Sequence, residues 1–201
     1  ILPLSAARGR ADLGAGDFSA IVPFFDWMRA AGLSVLQLLP LNDLSPRDSC
    51  PYCGLSAFAL DPLYADIRAV PELAGDARLS RALTQSLSSP ANERLRRSRR
   101  VRFAAVRRLK MHWLSVAYAA FEARPAPGRA EAFAAFRRSK DWLGDYALFR
   151  VLLEANGGKL WTQWAAELSS RRPEALARAR AKWAARLGFY EFAQFALFEQ
   201  W

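Results

Sequence analysis

The run LSVLQLLPL, residues 33–41, restricts the possible folds of this chain more than any other stretch. It is apolar at almost every position, with a single Gln, and reads as a strand covered on both faces, as at the centre of a parallel sheet or barrel. Pro40 ends it. Ahead of it Asp17 is a candidate N-cap, and Phe18, Ile21, Val22, Phe25, Trp27, Met28 and Ala31 recur at helical spacing. Pro23 is tolerated only in the first turn, so the helix is expected to start somewhat after Asp17. Gly32 fits the residue just past its end. Helix, glycine, then buried strand is the rhythm of an α/β fold.

A long polar loop, NDLSPRDSCPYCGLSAFALDP (42–62), follows the strand and holds three prolines and one glycine. Loops at the C-terminal ends of strands are where α/β proteins build sites. From about residue 71 the pattern is helical. Val106, Leu109, Trp113, Val116 and Ala120 share one face; Phe133 and Phe136, then Trp142, Tyr146 and Phe149, repeat the spacing. Phe189, Phe192, Phe195 and Phe198 are three apart near the end. Pro90, Pro125-Ala126-Pro127-Gly128 and Gly157-Gly158 punctuate the stretch. Residues 71–188 therefore read as a helical subdomain behind one βα-type unit, with no internal repeat.

The composition, 52% hydrophobic with seven tryptophans, belongs to a packed globular protein. No apolar run approaches the ~20 residues of a membrane helix, and no secretory leader is evident, so neither membrane insertion nor export is expected. The chain opens on Ile1, as a segment of something longer would. Two cysteines make no disulfide framework, which points to the cytoplasm. The formal charge is +10, and arginine supplies all but four of the 29 basic side chains. Nine of them fall between Arg94 and Lys110, which taken alone suggests a basic helix for RNA or a membrane surface. Phe103 and Trp113 read as interior residues rather than stacking platforms, and a solvated basic face is the plainer reading.

Cys50-Pro51-Tyr52-Cys53 has the form of a dithiol redox site. Such a site places its first cysteine at a helix N-terminus directly after a strand, where the dipole and free amides lower the thiol pKa. Here the apolar run ends nine residues before Cys50, and Gly54 and Pro62 oppose a long helix beyond it. Two half-buried structural cysteines in an ordered loop are expected instead. They do not complete a zinc site, because the one histidine, His112, lies beside the apolar seam of a helix.

Set in its strand context, the loop resembles the N-terminal part of the amylomaltases, the 4-α-glucanotransferases of glycoside hydrolase family 77. The family carries a strand ending in QxLPL and a loop S-P-Y-x-x-x-S-A-F-A-x-[ND]-P; here these are LQLLPL (36–41) and CPYCGLSAFALDP (50–62). Cys50 replaces the family serine. GRADLGAGDF (9–18) is similar to a weakened GIGDLG opening. VRFAAVRRLKMHWL (101–114) keeps Phe103, Val106, Lys110 and Leu114 of a family helix. FAAFRRSKDWLGDYALFRVLLEANGG (133–158) and FYEFAQFALFEQW (189–201) resemble further family stretches.

The resemblance implies the N-terminal portion of a (β/α)8 (TIM) barrel with a large, mainly α-helical inserted subdomain. Residues 1–70 would hold the first barrel strand, its preceding helix and the substrate-side loop. Residues 71–188 would be the helical subdomain, and 189–201 the lead-in to the second strand. It implies transfer of α-1,4-glucan segments between maltooligosaccharides by a retaining double displacement, with no cofactor, metal, nucleic acid or membrane partner. The family's Arg-x-Asp-His and later His-Asp motifs, which bring its carboxylates, are absent from this sequence. No catalytic residue is therefore assigned here, and the segment alone should be inactive. The substrate-binding candidates it marks are Tyr52 beside the cleavage point, Ser56 and Asp61. Read from the residues, Ser56 bonds backbone within the loop, and Asp61 caps it through an Asx turn as readily as it binds glucose.

Overall fold

The computed structural model describes residues 1–9, 12–46 and 48–201; Arg10 and Ala11 of the GRADLG opening and Arg47 of the loop lie outside the described residues. The described residues are mostly helical. The helices are α1 (Val22–Ala30), α2 (Pro71–Ala74), α3 (Ala77–Leu87), α4 (Pro90–Arg97), α5 (Phe103–Ala123), α6 (Arg129–Ser139), α7 (Leu143–Ala155), α8 (Ala166–Ser169), α9 (Pro173–Lys182) and α10 (Ala184–Gln200). Local chemistry sets many of the starts. Asp76 accepts from the amides of Arg78 and Leu79 at the head of α3, Ser89 caps α4, and prolines open α2, α4 and α9.

The core forms where α5 and α7 meet α10. Residues 189–197 of α10 are buried all round, as expected for a helix enclosed by others. Its phenylalanines interlock with those of α5 and α6: Phe121 and Phe192 have ring centroids 5.1 Å apart, Phe121 and Phe133 5.4 Å, Phe133 and Phe195 5.5 Å. Leu4, Leu13, Phe18, Leu63 and Ile67 pack into the same core from the N-terminal segment.

Two expectations at the N-terminus are corrected. Asp17 stands at the N-cap position of a 3-10 turn, Phe18–Ile21, that leads into α1, but its side chain makes no capping bond there and its carboxylate instead lies 3.6 Å from Lys110 Nζ. Residues 33–41 form no continuous strand and are not buried on both faces. Their strand pairing is one parallel bridge, Leu2 with Leu38, through Leu2 N–H to Gln37 O (2.9 Å) and Leu39 N–H to Leu2 O (3.1 Å). Leu33 is 51% exposed and Val35 81%. An apolar run is covered only as far as it has neighbours, and here one short segment lies along one edge. Gly32 does end α1, at φ +68°.

Within the GRADLGAGDF stretch, Gly14 and Gly16 have a physical basis. Gly14 sits at φ +100°, and a Cβ on Gly16 would lie 2.2 Å from Leu4 O and 2.4 Å from Ala7 O. Only a residue without a side chain lets this turn close on the segment before it.

Candidate functional site: a braced loop presenting Tyr52

The loop 42–62 folds back on itself. Asn42 and Leu60 form an antiparallel bridge, as do Leu44 and Gly54. The Asp43 amide donates to Ala59 O (2.8 Å), Leu55 N–H to Asp43 O (2.7 Å) and Asp61 N–H to Leu41 O (2.9 Å). Helix α10 finishes the job. Gln194, 1% exposed, accepts from Leu60 N–H through Oε1 (2.8 Å) and donates from Nε2 to Leu60 O (2.9 Å), filling the place of a neighbouring strand. Six residues on, Gln200 grips the backbone of Asp66 in the same two-bond manner.

Buried charges hold the base. Asp61 is fully buried; its Oδ1 accepts from Leu63 N–H (2.8 Å), as the Asx reading anticipates, and Arg107 of α5 forms a fork on the carboxylate with its shortest bond at 2.7 Å. Arg107 Nη1 also donates to the Asp48 carbonyl, where the cysteine turn begins. Lys110, buried completely, donates to Leu63 O (2.7 Å). Burial pulls the Lys110 pKa down and pushes that of Asp17 up. In a second group, Asp43 accepts from the Tyr146 hydroxyl (2.8 Å) and pairs with Arg150 (3.3 Å). Burial raises the Asp43 carboxyl to about 6, against the pull of Arg150 and with the push of Asp61. A cleft of about 550 Å³ opens between the base of the loop and α5, α7 and α10; Arg107, Arg108, Arg150 and Arg186 are in its walls.

The tip differs from the base. Asp48 Oδ1 accepts from the amides of Ser49 (2.7 Å) and Cys50 (2.9 Å), and Cys53 N–H closes a turn on Cys50 O (3.1 Å). Tyr52, a central residue of that turn, is 72% exposed. Ser56 Oγ accepts from Phe58 N–H (3.1 Å) and Ala59 N–H (3.2 Å), and Phe58 stacks on Trp142 at 5.9 Å and 19°. Tyr52, Ser56 and Asp61 thus share one loop but not one surface: Tyr52 at the tip, Ser56 within the bend, Asp61 inside the protein. Cys50 and Cys53 are both exposed, not half-buried as expected.

Reading the sequence alone misses Arg107 and Lys110 as inward residues, because they stand in a run that looks like one basic face. The structure divides that run between α4, a linker and α5. Their three-residue spacing puts them on the face that also carries buried Val106, Trp113 and Leu114, and that is the signal that finds them. His112 is exposed against the edge of Trp113, and no cluster of metal-ligating side chains occurs among the described residues.

Comparison with known proteins identifies the family of the chain. The 4-alpha-glucanotransferase model of glycoside hydrolase family 77 matches residues 2–201. The chain is 35% identical to a 4-alpha-glucanotransferase of Thermus thermophilus over 179 residues, covering 89% of this chain and 33% of that protein. It is 32% identical to one from Aquifex aeolicus, covering 100% of the chain and 37% of the relative. Among solved structures, the amylomaltase from Streptococcus agalactiae in complex with acarbose superposes with a TM-score of 0.79 at 24% identity, over 100% of this chain and 38% of that one. The chain thus spans about a third of the length of the relatives it matches. Matched from its second residue to its last, it belongs to glycoside hydrolase family 77, the 4-alpha-glucanotransferases.

Proposed function

We propose that this chain is the substrate-side part of a 4-α-glucanotransferase that moves α-1,4-glucan segments between maltooligosaccharides in the cytoplasm. The observation that carries the reading is Tyr52, exposed on a turn whose base is fastened by Arg107, Asp61 and Gln194. An aromatic face packs on the C–H face of a pyranose, and the phenol offers one hydrogen bond beside it. Ser56 and Asp61 serve the sugar indirectly, by shaping the loop. Retention at the anomeric carbon calls for two carboxyl groups about 5–5.5 Å apart, a nucleophile and an acid/base. We assign neither to residues 1–201. They belong to later strands of a (β/α)8 barrel, in which 1–70 supplies the first strand and loop, 71–188 an inserted helical subdomain, and 189–201 the approach to the second strand.

The bare edge of 33–41 supports the barrel assignment, because Leu33, Val35, Phe25 and Trp27 are exposed where further strands and helices would cover them. A reading as a nucleic-acid binder is weakened, since Arg107 and Lys110 point inward and Trp113 is buried. No helix among the described residues is long and apolar enough to cross a membrane. The test is disproportionation of maltotriose by the intact protein: glucose and maltooligosaccharides longer than the substrate should appear together, and glucose and maltose with nothing longer than maltotriose would mean hydrolysis and reject transfer.

A further inference from the structure

The cysteine pair around Tyr52 has no part in glucan transfer as proposed, yet its geometry is specific. Both thiols are free and exposed. The Cys53 N–H to Cys50 O bond of 3.1 Å makes residues 50–53 a closed β-turn with Pro51 and Tyr52 at its centre. Such a turn brings its first and last Cα atoms within about 7 Å, and a disulfide requires about 4.4–6.8 Å. Pro51 presets φ at the first central position. Asp48 fixes the entry through the amides of Ser49 and Cys50, and Arg107 fixes Asp48. The neighbouring Cys50, through a hydrogen bond and then the repulsion of its charge, holds the Cys53 thiol above the usual range. With no helix opening at Cys50 to lower a thiol pKa, the pair suits a target of oxidation better than a catalyst of it.

We propose that Cys50 and Cys53 form a reversible disulfide, a modification site that couples the Tyr52 turn to the surrounding thiol–disulfide balance. The oxidant is a low-molecular-weight disulfide of the glutathione type. One protein thiolate attacks it, its S–S bond breaks, and one thiolate leaves as a protein mixed disulfide forms. The second cysteine, losing its proton to solvent, attacks the protein-side sulfur. The Cys50–Cys53 bond forms and a second thiolate leaves. Two protein thiols are oxidised and one small disulfide is reduced to two thiols. Oxidation fixes the backbone at Tyr52 inside a covalent ring, so the phenol can no longer settle onto a sugar. That consequence rests on the proposed role of Tyr52; formation of the bond does not.

The experiment equilibrates the intact protein with oxidised or reduced glutathione, blocks free thiols and digests with trypsin. The peptide Asp48–Arg68 carries both cysteines and no internal trypsin site. It should emerge lacking two hydrogens and unalkylated after oxidation, and doubly alkylated after dithiothreitol. On the same samples kcat/KM for maltotriose should fall by about five- to ten-fold on oxidation, the size of one lost stacking contact. Dithiothreitol should restore it, and Cys50→Ser/Cys53→Ser should keep the reduced activity throughout. Two free or two glutathione-capped thiols under oxidising conditions overturn the disulfide. Equal activity of the two forms, or a response to oxidation in the double variant, overturns the coupling. If the reduced protein transfers no glucan, the function fails while the peptide mass still decides the bond.

Discussion

At Tyr52 the ring and the hydroxyl can be separated by substitution. Tyr52→Phe keeps the stacking face and Tyr52→Ala removes it. Stacking contributes about 0.5–1.5 kcal/mol beyond buried area, and a neutral hydrogen bond about as much. In the intact protein Ala should therefore lower kcat/KM by tens-fold to about a hundred-fold and Phe by about ten-fold or less. The loss should fall mainly on kcat if the contact tightens as charge develops at the anomeric carbon. Unchanged kinetics in Tyr52→Ala would remove the sugar contact. Asp43 makes a separate prediction from pH. Its folded pKa, about 6, lies above its ordinary 3.8, so the folded protein holds this proton more tightly than the unfolded chain does. The stability it contributes is complete below pH 4 and is lost as pH rises through 6. Asp43→Asn lacks that dependence. Between pH 7 and pH 4 the wild type should gain stability relative to the variant, by up to about 3 kcal/mol at 1.36 kcal/mol per pKa unit. Denaturant unfolding across that range measures it, and parallel stability curves would contradict it.

Helix α10 holds the loop through Gln194 and the segment just after it through Gln200. Replacing Gln194 by Met keeps the volume and leaves Leu60 N–H and C=O buried without partners, at about 1–3 kcal/mol for each group. A loss of about 2–5 kcal/mol in urea unfolding is expected, with a smaller loss for Gln200→Ala, whose site is partly open to solvent. A Gln194→Met protein as stable as wild type would show that the clamp contributes nothing. Elements built on spacing were legible in the sequence: the aromatic repeats of α7 and α10 and the long face of α5 fall where their periods put them. The Asx geometry at Asp61 was legible too, from Asp before Pro. Gln194 was not, since a lone amide in an apolar helix does not announce which backbone it serves. The buried strand expected over 33–41 is not formed, because apolar character does not say which neighbours a segment has, and the pairing here is a single bridge to Leu2. Arg107 and Lys110 were hidden because charge in a sequence does not reveal the direction of a side chain.

For the molecule as a whole, the exposed apolar residues set the expectation. Ile1, Val22, Phe25, Trp27, Leu33, Val35 and Trp201 are each about half exposed or more. Residues 1–201 produced alone should self-associate, visible as a concentration-dependent mass in light scattering, and should not disproportionate maltotriose. A monomeric, active fragment would refute both the barrel assignment and the absence of catalytic carboxylates. The glutamine clamps bear also on how the molecule is made. Each joins positions 134 residues apart in the chain, Leu60 to Gln194 and Asp66 to Gln200. A ribosome adding about 5–20 residues per second needs roughly 7–27 s to span that interval. Throughout it the nascent chain has neither clamp, so the base of the loop that presents Tyr52 is fastened among the last parts of this segment, although it is translated among the first.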